Sequence, residues 1–151
     1  MKNIAAAAEL LADAMAADQH VVIIADYDAD GATACALAVH GLRGCGAKQV
    51  NYLVPDRMRD GYGLQPPLAE LAAEAGAQVL VTVDNGISAL EGVARARELG
   101  MRVLVTDHHL PGAEVQAAAK DLSAQYQERN SGLQLTYTDS EVQLTTAGEV
   151  H

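Results

Sequence analysis

Four short aliphatic runs punctuate the first two thirds of the chain: Val21–Ala25, Val50–Val54, Gln78–Val83 and Arg102–Thr106. Runs this short, apolar on successive residues, predict strands covered on both faces. Between them lie stretches with apolar residues at helical spacing. Residues 4–17 make an alanine-rich one. Ala32–Arg43 is the next, stopped by Gly44 and Gly46. Pro66 and Pro67 open a third that runs to about Ala75, because proline fits a first helical turn. Ser88 is the expected cap of a fourth, which reaches Leu99 and stops at Gly100. Strand and helix alternate four times with short links. That predicts an α/β fold: a parallel sheet of about four strands, right-handed crossovers and helices on both faces.

After Pro111-Gly112 the pattern changes. Ala113–Arg129 reads as one more helix. Leu133, Leu135 and Tyr137, then Val142 and Leu144, alternate with polar residues around an Asp139-Ser140 turn signal, which predicts an antiparallel hairpin. The expected organisation is one unit over residues 1–112 and a tail of different character over 113–151.

Composition narrows the classes. The 151 residues suffice for one domain with a core. Ten Lys+Arg face twenty Asp+Glu, and a net charge of −10 is a poor match to a polyanion. The only aromatics are five tyrosines, so surfaces for stacking bases are few. Cys35 and Cys45 are the only thiols, which predicts no disulfide and a reducing, cytoplasmic setting. Glu9, Asp13 and Asp18 interrupt the apolar N-terminal segment, so it reads as an amphipathic helix and not a signal peptide. No run approaches the ~18 apolar residues of a membrane span.

The polar chemistry collects where the predicted strands end. Asp26, Asp28 and Asp30 follow the first strand, and Asp56 and Arg57 the second. Asp84 and Asn85 follow the third, and Asp107, His108 and His109 the fourth. In open parallel sheets that edge binds ligands. Each cluster alone has a plain structural reading. Aspartates after strands serve as turns and caps, Asn85-Gly86 is turn chemistry, and paired histidines occur on surfaces. Their convergence on one rim favours a site. Like charges gathered there oppose folding by repulsion and desolvation. Carboxylates with imidazole, and no thiolate, suit a hard divalent ion such as Mn²⁺ or Mg²⁺. Two such ions about 3.5–4 Å apart serve phosphoryl displacement. The loop Pro55–Leu64 adds Arg57 and Arg59, suited to phosphate, and Gly61 and Gly63, which allow close approach; the alternative is a solvated glycine turn.

DYDADG (Asp26–Gly31), PDRMRDGYG (Pro55–Gly63), VDNG (Val83–Gly86) and TDHHLPG (Thr106–Gly112), in this order, resemble the DHH phosphoesterase superfamily over Ile4–Gly112. Within it they resemble the branch of single-strand-specific 5′–3′ DNA exonucleases. The resemblance implies that residues 1–112 are a DHH-type catalytic half-domain. It makes Asp28, Asp30, Asp84 and His108 metal ligands of a two-ion Mn²⁺ or Mg²⁺ centre. It places His109 beside the metals and the scissile phosphate, with Asp107 orienting its loop, as the catalytic pair. Asp26 and Asn85 become supports behind the ligands, and Arg57, Tyr62, Gly63 and Asn85 face the substrate phosphate. The implied substrate is single-stranded DNA or an oligonucleotide, hydrolysed at its phosphodiester bonds.

The chain also departs from that pattern. A later VADVVPL-like motif supplies a further aspartate ligand in the family, and the DHHA1 domain supplies a GGGH-type motif; neither is found here. An incomplete metal site and a weak or inactive isolated chain are therefore expected, with oligomeric state left open. Two other readings compete: a DHH phosphodiesterase on short oligonucleotides or cyclic dinucleotides, which the GYG and LPG elements disfavour, and a truncated non-catalytic fragment. Haloacid-dehalogenase phosphatases also place Asp-x-Asp after a first strand, but Ala32 stands where they carry threonine, and no strand-end lysine follows.

Overall fold

The structure is a computed structural model that describes residues 3–56, 58, 61–110, 113, 133–138 and 141–146. The chain divides into two compact units, Met1–His109 and Leu110–His151. The first contains α1 (Ile4–Ala16), β1 (Val21–Ala25), α2 (Ala29–Gly44), β2 (Val50–Leu53), α3 (Pro66–Glu74), β3 (Val79–Val83), α4 (Leu90–Glu98) and β4 (Arg102–Thr106). The four strands form one parallel sheet in the order β2-β1-β3-β4.

Every residue of β1 and of β3 is buried, as expected for central strands covered on both sides. Alternation divides them between two cores. Val21, Ile23 and Ala25 join Val79, Val81 and Val83 beneath Cys35 and Val39 of α2 and Ala14 of α1. Val22, Ile24 and Leu80 face the other way, onto Leu68, Ala69 and Ala72 of α3 and Ala96 of α4. The result is the expected three-layer α/β arrangement. Because β2 lies on one side of β1 and β3 on the other, the strand order reverses between β1 and β3. A cleft opens at such a point in doubly wound sheets, outside the carboxyl ends of the strands.

Two boundaries differ from expectation for identifiable reasons. Helix α2 begins at Ala29, three residues earlier than the hydrophobic pattern indicates, because Asp28 caps it. The Asp28 carboxylate accepts a hydrogen bond from the Gly31 amide at 2.9 Å. Helix α4 begins at Leu90 with Ala89, not Ser88, at the cap position. Backbone closes that entry instead: the Ala89 amide donates to the Gly86 carbonyl at 3.0 Å, and no side chain caps the helix. The ends of β2 and β3 are each one residue shorter than predicted.

In the second unit β5 (Leu133–Thr138) and β6 (Glu141–Thr146) pair antiparallel, with Leu135 opposite Leu144 and Tyr137 opposite Val142. This is the hairpin that the alternation predicts. The Asp139-Ser140 turn, and the predicted helix over 113–129 apart from Ala113, lie outside the described residues. Cys35 is buried and Cys45 exposed, and both are free. No described helix is long and apolar enough to cross a membrane.

Helix α4 closely approaches the segment that enters α3. A Cβ on Gly92 would collide with the Leu64 carbonyl group, lying 2.7 Å from its carbon. Gly41, inside α2, has nothing within 4 Å of that position. Opposite outcomes follow for the same substitution. Gly92→Ala should lose about 3 kcal/mol in urea unfolding, because backbone must move to admit the methyl. Gly41→Ala should gain roughly 0.5–1 kcal/mol, because alanine is the better helix former. Equal effects at the two sites would show that the approach of α4 to Leu64 is looser than described.

Candidate metal centre

The sheet register assembles the site. Ala25 pairs with Val83, and Val83 with Thr106, so the chain leaves the sheet at Asp26, Asp84 and Asp107 side by side. The Asp84 amide extends the ladder by donating to the Thr106 carbonyl at 3.0 Å. At that residue the backbone turns into the left-handed region, φ 61°. A non-glycine residue held there marks a locally strained turn of the kind that functional sites use. Three contacts hold it. Asn85, fully buried, donates its amide to the Ile24 carbonyl at 3.0 Å and to the Val83 carbonyl at 2.9 Å, clamping β3 to β1. The Tyr62 hydroxyl donates to the Asp84 carbonyl at 3.3 Å. The Thr106 hydroxyl donates to the Thr82 carbonyl at 2.6 Å, tying β4 to β3 just below.

Two ligand groups result. Asp26, Asp28 and Asp84 each offer an oxygen within 4.8 Å of the others. Asp84, His108 and His109 do the same with one carboxylate and two imidazoles. Asp84 belongs to both, and its Oδ1 lies 2.7 Å from His108 Nε2. Asp26 and Asp84 are only 4% and 8% exposed, so water screens their charges poorly. Among the described residues, no lysine or arginine pairs with Asp26, Asp28 or Asp84. Oxygen donors, imidazole nitrogen and uncompensated negative charge fit a hard divalent cation.

The other expected residues sort by position. Asp30 lies exposed in the first turn of α2, outside both groups. It lines, with Thr33, Leu37, Asp84 and His108 among others, an adjoining concavity of about 450 Å³. Gly63, φ 66°, abuts Asn85: a Cβ there would meet Asn85 Oδ1 at 3.4 Å. Asn85 itself sits beneath the rim, with its Oδ1 unpartnered among the described residues. Arg57 and Arg59 lie outside the described residues.

Asp107 and His109 form a pair. The Asp107 carboxylate accepts from the Ile87 amide at 3.0 Å and the His109 amide at 3.0 Å, and meets His109 Nδ1 at 2.7 Å. Burial alone would raise the Asp107 carboxyl, but these bonds outweigh it and hold it below the usual carboxylate range. The Asp107 hydrogen bond raises the His109 imidazole, and the charges of Asp107, Asp84 and Asp26 add to it. Tyr62 is pushed up to about 12, first by burial and then by Asp26, Asp107, Asp84 and Asp28. Its phenol therefore remains a neutral donor in the field of four carboxylates.

Some residues on which the site depends were not singled out from sequence. A Cβ on Gly31 would lie 2.7 Å from the Asp26 carbonyl carbon, so only glycine lets α2 start against the end of β1. One on Gly86 would lie 2.5 Å from Thr82 Oγ1. Their signal was their place as the last residue of DYDADG and of VDNG. Tyr27 and Tyr62 meet edge to face, 6.2 Å between ring centres, and Tyr62 meets His109 likewise at 6.3 Å. No periodicity announces that cluster.

The parallel sheet thus carries its aspartates and the paired histidines on the rim at the carboxyl ends of β1, β3 and β4. The sequence profile described as "DHH family, N-terminal domain" matches residues 20–148, and the chain belongs to this family. It is 56% identical over 105 residues to the single-stranded-DNA-specific exonuclease RecJ of Haemophilus influenzae, covering 70% of this chain and 18% of that protein. With the Escherichia coli RecJ it shares 48% over 118 residues, covering 78% of this chain and 20% of the relative. A crystal structure of exonuclease RecJ bound to manganese superposes with a TM-score of 0.66 at 39% identity, over 74% of this chain and 29% of the other. The chain thus spans about a fifth of the length of these curated relatives.

The crowding has a measurable signature. Asp26→Asn keeps an oxygen for the Tyr27 amide, which Asp26 now accepts at 2.7 Å, while removing one charge from the group. Without divalent ions, this variant should be more stable than the parent by about 1 kcal/mol in urea unfolding. A loss of stability would mean that the charges at this rim are already neutralised.

Proposed function

We propose that this chain carries part of the catalytic centre of a metal-dependent nuclease that hydrolyses single-stranded DNA from its 5′ end. The observation that carries the reading is the sharing of Asp84 between two ligand groups, one of carboxylates and one with imidazole. Asp28, Asp84 and His108 supply the central ligands, and Asp30 completes the set from the exposed side. Asp26, the more buried and already bonded to the Tyr27 amide, supports them from behind. The ions are Mn²⁺ or Mg²⁺; imidazole favours the softer Mn²⁺. Ions held by these residues would supply water activation and offset the charge of the phosphate.

The chain's own groups do the positioning. Asp107 fixes the His109 ring from one side, leaving its other nitrogen to meet a phosphate oxygen. Arg57 serves as a guanidinium for the same phosphate. The low arginine and lysine count and the net charge of −10 leave a long strand little to hold. Both cysteines are free, which suits a cytoplasmic setting.

Excess Mn²⁺ should raise the melting temperature. At a hundredfold excess over Kd, mass action contributes roughly 2.7 kcal/mol. The double variant Asp28→Asn with Asp30→Asn should lose most of that shift. Unchanged melting of the parent with and without Mn²⁺ would defeat the metal reading.

On 5′-labelled single-stranded DNA, this 151-residue chain should act slowly or not at all. Any release of nucleotides should require Mn²⁺ or Mg²⁺ and disappear in His108→Ala and Asp84→Ala. Fast, processive digestion abolished by those variants would show that residues 1–151 suffice for the whole reaction.

A further inference from the structure

Asn85-Gly86 is the sole asparagine–glycine pair in the sequence. Such a pair is chemically labile, because no glycine side chain shields the following nitrogen from the asparagine amide. Packing calls for both residues. A Cβ on Gly86, whose φ is 112°, would lie 2.5 Å from Thr82 Oγ1 and 3.1 Å from Val105 Cγ1. Asn85 uses its Nδ2 to clamp β3 to β1, through the Ile24 and Val83 carbonyls at 3.0 and 2.9 Å. We infer that Asn85-Gly86 is a modification site: when the carboxyl end of β3 detaches from β1, Asn85 deamidates, and the deamidated chain cannot rebuild the rim.

The step needs only water. The deprotonated Gly86 amide nitrogen bonds to Asn85 Cγ, the Cγ–Nδ2 bond breaks, and Nδ2 leaves as ammonia with the proton that Gly86 gave up. Water then opens the resulting five-membered imide at either carbonyl, giving aspartate or isoaspartate. In the closed rim this path is shut, because Asn85 is fully buried and its leaving nitrogen is held by two carbonyls. The forces that favour opening act at the same spot. The preceding residue, Asp84, is held at φ 61°. Its carboxylate lies within 4.8 Å of those of Asp26 and Asp28, and no lysine or arginine pairs with them among the described residues. Strain and repulsion thus work on the strand end that Asn85 clamps. Local opening of this kind costs less than global unfolding. Closure is then lost. Aspartate at position 85 has no donor for the two carbonyls and adds a buried charge beside Asp84. Isoaspartate lengthens the main chain by one atom at the turn into α4.

Peptide mapping by mass spectrometry in ¹⁸O-water reads conversion at Asn85 directly, without an activity assay. The full chain is followed in EDTA, in Mn²⁺ and in urea, beside a synthetic peptide of residues 81–89. In urea, Asn85 should convert as fast as in the peptide. Folded in EDTA, it should convert roughly ten- to hundredfold more slowly, because only the open fraction reacts. Thr106→Val removes the hydroxyl tie to the Thr82 carbonyl and should speed the folded chain about fivefold, the worth of one hydrogen bond. Asn85→Asp, one of the two products, should unfold at lower urea than the parent or fail to fold. Conversion in EDTA at the peptide's rate would overturn the inference. So would no conversion in the folded chain once the unfolded chain is spent, or an Asn85→Asp midpoint equal to the parent's. One arm rests on the metal reading: Mn²⁺ at ten times its Kd should slow conversion about tenfold. Conversion that behaves as expected in EDTA and ignores Mn²⁺ would sink the ion at Asp84 and leave the modification site standing.

Discussion

Carboxylates held within 4.8 Å of one another repel, and the repulsion grows where burial removes water. Asp26 and Asp84 are almost closed off from solvent, and Asp28 stands beside them. The backbone of this unit has to hold them against their own charge. Much of what surrounds the rim answers that requirement. Asn85 ties the end of β3 to β1 from below, through two hydrogen bonds to strand carbonyls. Gly31 lets α2 begin against Asp26, and the cap at Asp28 gives one carboxylate oxygen a donor. Asp84 sits in a left-handed conformation and is still bonded on both sides of its peptide.

A gradient of exposure follows from the same cause. The bottom of the site is buried and fully built from backbone, asparagine and glycine. The top consists of exposed groups: Asp30, His108, His109 and half of Tyr62. The buried layer sets positions, and the exposed layer meets whatever binds. Charge strain of this kind destabilises a folded protein, and it persists where function uses it. A cation bound there would relieve it and link ligand binding to stability.

Five of the twenty acidic residues that make the chain a poor partner for a polyanion, Asp26, Asp28, Asp30, Asp84 and Asp107, stand at this rim. An ion would reverse the local sign there, so net charge alone misjudges such a site. The five tyrosines are few, but two of them meet at the rim beside a histidine. Placement gives them more weight than their number.

The sequence by itself determined the sheet, the helices around it and the rim on which the polar clusters stand. Residues 21–25 and 79–83 are apolar at every position, or nearly so, and that pattern has one common solution, a central parallel strand. Asp28, Asp84 and His108 stand within three residues of such runs, and the family resemblance is what singled them out. Local chemistry that competes with periodicity was harder to read. Asp28 extended α2 by three residues, and backbone bonds displaced Ser88 from the cap of α4. Only the tertiary structure decided that Asp26, not Asp30, joins the tight carboxylate group, because that depends on where α2 starts above the sheet. It also decided the clamp at Asn85 and the meeting of Tyr62 with His109, since both join residues from different loops. Spacing along one chain carries period and polarity; it does not carry the distance between two loops that the strand order happens to bring together.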